Sequence, residues 1–373
     1  MSPAARKAPK ASAKRARPAG VPQLLRDLLA ARGPSGYERA PAAVWRDAAS
    51  EFAEVSTDIV GTPLALVAPE HGYESSPRRL LVMGHIDEIG LIVTHIDDDG
   101  YLWFREVGGW DAQILVGQRV VLDTNAGPVA GVVGKKPIHL LRDEERKKVA
   151  DIRDMHIDIG ASDGKQARAM VRIGDVAVID AAPVELPNGR LSSRALDNRL
   201  GSFVALEAAR LIAKDGGAQW EIAAVAAAQE ETTFGGSRTS AFALKPDAAI
   251  VVDVTHATDA PGIDIKEAGK HELGSGPVIT RGSTLNDAVF ELLYKAGEAE
   301  KIPFTVEASG RATGTDADAV HISRGGVPTG LVSIPIRYMH SPVELVQLDD
   351  VHASARLIAA AALRLTRETS FAR

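Results

Sequence analysis

Cysteine is absent from the 373 residues. Its absence excludes disulfides, Cys-ligated zinc, iron–sulfur clusters and thiol nucleophiles, so any metal has to be held by His, Asp or Glu. No stretch approaches the roughly 18 consecutive apolar residues of a membrane span, and the N-terminus lacks the apolar centre of a secretory signal. The expectation is a soluble, cytoplasmic protein without a membrane partner. Nucleotide signatures are missing as well: neither GxxxxGKS nor GxxxxGKT occurs, and neither Gly108-Gly109 nor Gly235-Gly236 completes GxGxxG. Gly235-Gly236-Ser237-Arg238-Thr239 fails the G-x-S-x-G nucleophile elbow at its last position. No internal repeat of fixed period is visible.

What is present is an ordinary globular composition, 45% hydrophobic and 25% charged, with length enough for two domains. Charge is unevenly placed. Arg6, Lys7, Lys10, Lys14, Arg15 and Arg17 put +6 and no acid into residues 1–20, and removing this from the net −6 leaves −12 on the rest. An Ala/Pro/Lys/Arg segment has nothing to bury and reads as a disordered basic arm. A body at −12 argues against nucleic acid as the main ligand.

Helical periodicity covers Val21 to Arg32, stopped by Gly33-Pro34-Ser35-Gly36, and again Glu38 to Ala53. Arg79 to Gly84 is a short apolar run that fits a buried strand. From about residue 89 to 182 the texture changes to strand pairs broken by turn residues, such as Asp97-Asp98-Asp99-Gly100, and predicts a small β-rich module inserted in the chain. Beyond Ala195, helix and apolar strand alternate: helices at Asn198–Lys214, Leu285–Lys301 and Val351–Leu365, strands at Glu221–Ala228, Ala248–Val252 and Gly330–Ile334. The pattern predicts an α/β domain, residues 21–88 and 183–373, with a sheet covered by helices on both faces.

Open α/β sheets present their chemistry at the carboxyl ends of strands. Polar residues follow the apolar runs at five places: His85 and Asp87; Asp197; Glu230 and Glu231; Asp253; and His340. Singly, each is ordinarily a cap or a hydrogen-bonded structural residue. Together, two imidazoles and several carboxylates without a thiol suit zinc, cobalt or manganese, and one carboxylate can bridge two ions. Adjacent strand residues point to opposite faces, so Glu230-Glu231 has to lie where its strand ends. There, one Glu can bind metal while the other takes a proton from water. A glycosidase would leave the two histidines unexplained. Of the other eight histidines, His256 and His321 come nearest to these positions in sequence and read as structural or pocket-lining.

Several blocks then carry a resemblance through most of the chain after the arm: GHIDEIGLIV (84–93), GGWDAQILVGQRV (108–120), GVVGKKPIHLL (131–141), RALDNRLG (194–201), QEETTFGG (229–236), VVDVTHATDAPG (251–262), GTDADAVH (314–321) and GVPTGLVSIPIRYMHSPVE (326–344). In these blocks the chain resembles the M42 family of metallo-aminopeptidases, which includes TET-type and glutamyl aminopeptidases. The resemblance implies a zinc-exopeptidase-like mixed sheet flanked by helices, with 89–182 as a β-rich dimerisation domain. It implies two divalent metal ions per subunit, with His85, Asp197, Glu231, Asp253 and His340 as ligands, Asp197 bridging, Asp87 orienting the site and Glu230 as general base. Peptides are the implied substrates and a homo-oligomer, a tetrahedral dodecamer, the implied assembly. The sequence after the glutamate pair differs in detail from the family's usual one, which bears on subsite specificity. Two other readings stand beside an aminopeptidase: a binuclear amidohydrolase or deacylase acting on N-acylated small molecules, and a non-catalytic assembly protein with a vestigial metal set.

Overall fold

A computed structural model describes residues 20–72, 78–144 and 146–372. Of the basic arm expected at residues 1–20, all but Gly20 lies outside the described residues. Before the inserted module come β1 (Glu54–Thr57), β2 (Pro63–Val67) and β3 (Arg79–His85). The module carries β4 (Gly90–Ile96), β5 (Leu102–Val107), β6 (Arg119–Thr124), β7 (Gly127–Gly134), β8 (His156–Asp158) and β9 (Val176–Ile179). The chain returns through β10 (Val184–Leu186), β11 (Arg190–Ser193), β12 (Glu221–Ala227), β13 (Ala248–His256), β14 (Val278–Gly282), β15 (Thr305–Ser309), β16 (Thr329–Arg337) and β17 (Glu344–Gln347).

These strands make two bodies. One is an 11-stranded mixed sheet, ordered β1-β2-β12-β3-β13-β16-β17-β11-β10, with β14 pairing β15 and β16. The other is a closed barrel in the order β4-β5-β8-β7-β6-β9. At the centre of the sheet β12, β3, β13 and β16 run parallel. Their sequences are continuous apolar runs because both faces are covered. The pleat divides each strand between two cores. Leu80, Val82, Ile222, Ala224 and Ala226 pack with the helices Gln23–Ala30, Leu196–Lys214, Asp287–Ala299 and Leu348–Ala362. Leu81, Met83, Ala223, Val225 and Ala227 pack on the opposite face with Ala241, Leu244 and Val320. The barrel closes over its own core, which includes Leu91, Phe104, Leu122, Val133 and Ile157.

The first two helices end short of the expected limits, and the last is shifted toward the N-terminus, running Leu348–Ala362 where the pattern predicts Val351–Leu365. The first helix is Gln23–Ala30 rather than Val21–Arg32, entered from Pro22 and left through an extended Ala31. The second ends at Ala49 rather than Ala53. A larger difference concerns Asp253, which the sequence reading puts just after a strand ending at Val252. The structure continues β13 to His256, because β16 stays paired with it as far as His256↔Ile336. Strand β3 leaves it at Val251↔Met83. Asp253 therefore stands inside a strand, at a step where one neighbour has ended. Among the described residues no helix is long and apolar enough to cross a membrane.

Gly84 sets how closely sheet and helix approach. A Cβ there would overlap the backbone of Gly201 in the Leu196–Lys214 helix. With glycine at both places, the end of β3 lies directly against the first turns of that helix, and this juxtaposition brings His85 to Asp197.

Candidate active site

The seven residues singled out in the sequence come together at the carboxyl ends of the central strands. His85 closes β3, and its Nε2 lies 3.2 Å from Asp197 Oδ1, 3.7 Å from Glu230 Oε2 and 3.9 Å from Asp253 Oδ1. His340 enters from the loop between β16 and β17, with Nε2 3.3 Å from Asp197 Oδ2 and 3.5 Å from Glu231 Oε1. Asp197 thus turns one oxygen to each imidazole. Glu230 and Glu231 open the short helical turn Glu230–Thr233, beyond the end of β12. Asp87 is fully buried and accepts the Glu230 N–H on Oδ1 and the Glu231 N–H on Oδ2, both at 3.1 Å. It also lies 3.4 Å from His85 Nδ1.

The local backbone is unusual here. Ala195, Gln229, Phe234 and His340 are all non-glycine residues in the left-handed region, with φ of 58°, 61°, 55° and 58°. Such conformations cost energy and persist where the surroundings impose them. The enclosing contacts are on hand. Glu38 Oε1 accepts the Gln229 N–H at 3.0 Å, and Glu344 accepts N–H groups from both Asp197 and His340. Glu88 is clamped between Arg194 and the fully buried Arg199.

Electrostatics bear on whether a cation fits. Donor atoms of His85, Asp197 and Glu231 lie within 4.8 Å of one another, as do those of His85, Glu230 and Asp253. Burial pushes the Glu230 carboxyl up to about 10, against the pull of His85 and with the push of Asp253. It likewise raises Glu231 and Asp253. Hydrogen bonds to Asp197 and Glu231 raise His340 to about 11. Against the effect of burial, hydrogen bonds from His340 and His85 hold Asp197 below the usual carboxylate range. Carboxylates crowded out of water favour whatever positive charge is near, and oxygen and imidazole donors at this spacing suit a divalent cation. The residues present fit a metal.

A cavity of about 1230 Å³ opens over the cluster, walled by Val254–His256, the end of β15, the 310–315 loop and Met339. His256 lines it, whereas His321 turns Nδ1 to the Ala317 carbonyl at 2.9 Å. The barrel reaches the site too. Trp110 borders a second cavity of about 320 Å³ beside Glu231 and His340, and a Cβ on Gly109 would lie 3.5 Å from His340 Nδ1.

Four acids near the site had no role in the sequence reading: Glu38, Glu88, Asp316 and Glu344. Glu38, Glu88 and Glu344 each hold at least one backbone N–H from a segment far along the chain, and such contacts leave no mark in side-chain chemistry. Asp316, within the GTDADAVH block, is 1% exposed with no hydrogen bond to either oxygen among the described residues.

Comparison with known proteins agrees with this architecture. The family model described as M42 glutamyl aminopeptidase matches residues 65–357. The chain is 35% identical over 344 residues to the lysyl aminopeptidase of Pyrococcus furiosus, covering 90% of this chain and 94% of that protein. Its structure superposes on the TET aminopeptidase from Thaumarchaeota archaeon SCGC AB-539-E09 with a TM-score of 0.87, at 35% identity, covering 93% of this chain and 96% of the other. The TET1 peptidase of Pyrococcus horikoshii, which can assemble into a tetrahedron or a large octahedral shell, gives a TM-score of 0.79 at 30% identity, covering 92% and 99%. Fold, site and relatives together define a hydrolase acting on peptide bonds. The chain belongs to the M42 peptidase family, a metal-dependent family.

Proposed function

We propose that the protein is a binuclear metal-dependent aminopeptidase releasing N-terminal residues from peptides, with Glu230 as general base. The observation that carries the two-cation reading is Asp197, which offers Oδ1 toward His85 and Oδ2 toward His340. One cation would be held by His85, Asp197 and Asp253, the other by Asp197, Glu231 and His340. When bound, these ions supply Lewis acidity, lowering the pKa of the attacking water and drawing charge from the scissile carbonyl.

The chain's own groups do the rest. Glu230 accepts the water's proton and returns it to the departing amine. By distance alone Glu230 is as well placed for coordination as its neighbours; the division of roles between it and Glu231 follows the family resemblance. Asp87 fixes both through their N–H groups. The carboxylates that line the cavity favour a substrate with a free α-amine, and so exopeptidase over endopeptidase cleavage.

The barrel, as a dimerisation module within residues 89–182, and a homo-oligomeric particle such as a tetrahedral dodecamer complete the proposal. Support comes from the TET relatives named above. Elemental analysis together with hydrolysis of free-N-terminus peptides, with and without chelator, tests the function. About two ions per chain and chelator-sensitive release of N-terminal residues is the expected result. Bound metal with cleavage of N-acetyl amino acids alone would favour a deacylase instead.

A further inference from the structure

The two sets of donors are held in different ways. His85 and Asp253 sit on β3 and β13, neighbouring strands of the central sheet, and β13 is braced again by β16. His340 and Glu231 sit instead on a loop and on a four-residue helical turn. His340 adopts a left-handed backbone, and its N–H points to Glu344, where Oε1 accepts it at 2.9 Å. The other oxygen of the same carboxylate, Oε2, accepts the Asp197 N–H at 3.0 Å. Glu344 is 2% exposed and begins β17, opposite Ser193 of β11, so it bridges the two segments that deliver Asp197 and His340. Asp197 has a further anchor next to it, since Asn198 donates to the Val252 carbonyl at 2.9 Å and accepts from the Gly201 N–H at 2.8 Å. The His340 N–H has Glu344 as its one partner among the described residues.

We propose that Glu344 is a positioning residue that sets the affinity of the cation held by Asp197, Glu231 and His340, and leaves the cation held by His85, Asp197 and Asp253 in place. The inference rests on the two-cation reading above. Its chemical requirement is two acceptors on one side chain. A glutamine offers one oxygen and turns an NH2 toward the other N–H donor, so one of the two ties is lost. An aspartate keeps both oxygens but is one methylene shorter and reaches at most one amide.

The test uses full-length wild type, Glu344→Gln, Glu344→Asp and His340→Ala, stripped with chelator and titrated with Co²⁺ alone. Bound metal is counted by elemental analysis after equilibrium dialysis, and folding is checked by circular dichroism. Two Co²⁺ per wild-type chain are expected. In Glu344→Gln one should remain at near wild-type affinity and the other weaken about 10–100-fold, the range for loss of a group that orients a ligand. The same single retained ion is expected in His340→Ala. Turnover of Glu344→Gln should recover as Co²⁺ is raised, with an unchanged KM for a leucyl anilide. If the glutamine variant does not fold, the aspartate variant is read in its place with the same expectation. Retention of both ions at wild-type affinity overturns the inference, as does parallel loss of both. A wild type that binds fewer than two Co²⁺ removes the two-cation reading and this inference with it.

Discussion

Glu38 and Asp87 grip the same turn of chain. Glu38 Oε1 takes the N–H of Gln229, and Asp87 takes the N–H groups of Glu230 and Glu231. Three successive amides are thereby committed to two buried carboxyl groups. The turn keeps its shape with Gln229 and Phe234 both in left-handed conformations.

Glu38 gives a prediction for pH. Burial, and then the charge of Asp87, raise its carboxyl from 4.5 to about 7. The folded protein therefore holds a proton that the unfolded chain releases, and the stability this contributes is present below pH 4.5 and lost as pH rises through about 7. Both amide contacts of Glu38, to Gly36 and Gln229, fall on Oε1, so the carbonyl of a glutamine can keep them. Glu38→Gln should gain stability relative to wild type by up to about 3 kcal/mol between pH 4 and pH 8. Urea unfolding of chelator-treated protein across that range measures it; a difference independent of pH contradicts the assignment.

Glu230→Gln should retain bound metal and lose turnover by a factor on the order of 10² or more. Initial rates on aminoacyl anilides, with metal content of the same samples, check this. Nearly full activity would show that another group takes the proton.

Removal of Asp197 should act on the metal itself. In wild type, adding Zn²⁺, Co²⁺ or Mn²⁺ to chelator-treated protein should raise the thermal midpoint, because a ligand of the folded state stabilises by about 4 kcal/mol at a thousandfold excess over Kd. Asp197→Ala should abolish most of that rise, as measured by calorimetry. An undiminished rise would mean that Asp197 is not shared between ions.

Gly84→Ala tests the scaffold. A methyl group at this position meets backbone rather than a movable side chain, so strand and helix have to part. Overpacking of this kind costs about 1–3 kcal/mol, occasionally more. Both the thermal midpoint and metal affinity should fall, since His85 is displaced from Asp197.

How much was legible in the sequence follows from the kind of interaction involved. His85, Asp87, Asp197, Glu230, Glu231 and His340 follow apolar runs or known blocks, and side chains at strand ends announce themselves by that position. Asp253 was singled out for a partly wrong reason, because strand length depends on which neighbour stays paired. The apolar pattern identified the central strands but passed over β1 and β15, whose residues are mostly exposed or half-buried, and over β2, β10, β11, β14 and β17, which are only three to five residues long. Glu38 and Glu344 were assigned nothing. Each holds one backbone amide from a distant segment, and an acceptor for a main-chain N–H has no sequence signature.

The spread of the cluster along the chain also has a consequence in time. His85 precedes the barrel, Asp197 follows it, and His340 arrives with the β16–β17 pair, after every other donor. Domains fold as units while synthesis proceeds from the N-terminus, so a growing chain can close its barrel and lay down β12 and β13 with the cluster still half built. Under the two-cation reading, hydrolytic capacity comes only with the last strands. A nascent or prematurely ended chain then carries no peptidase that could turn on its neighbours.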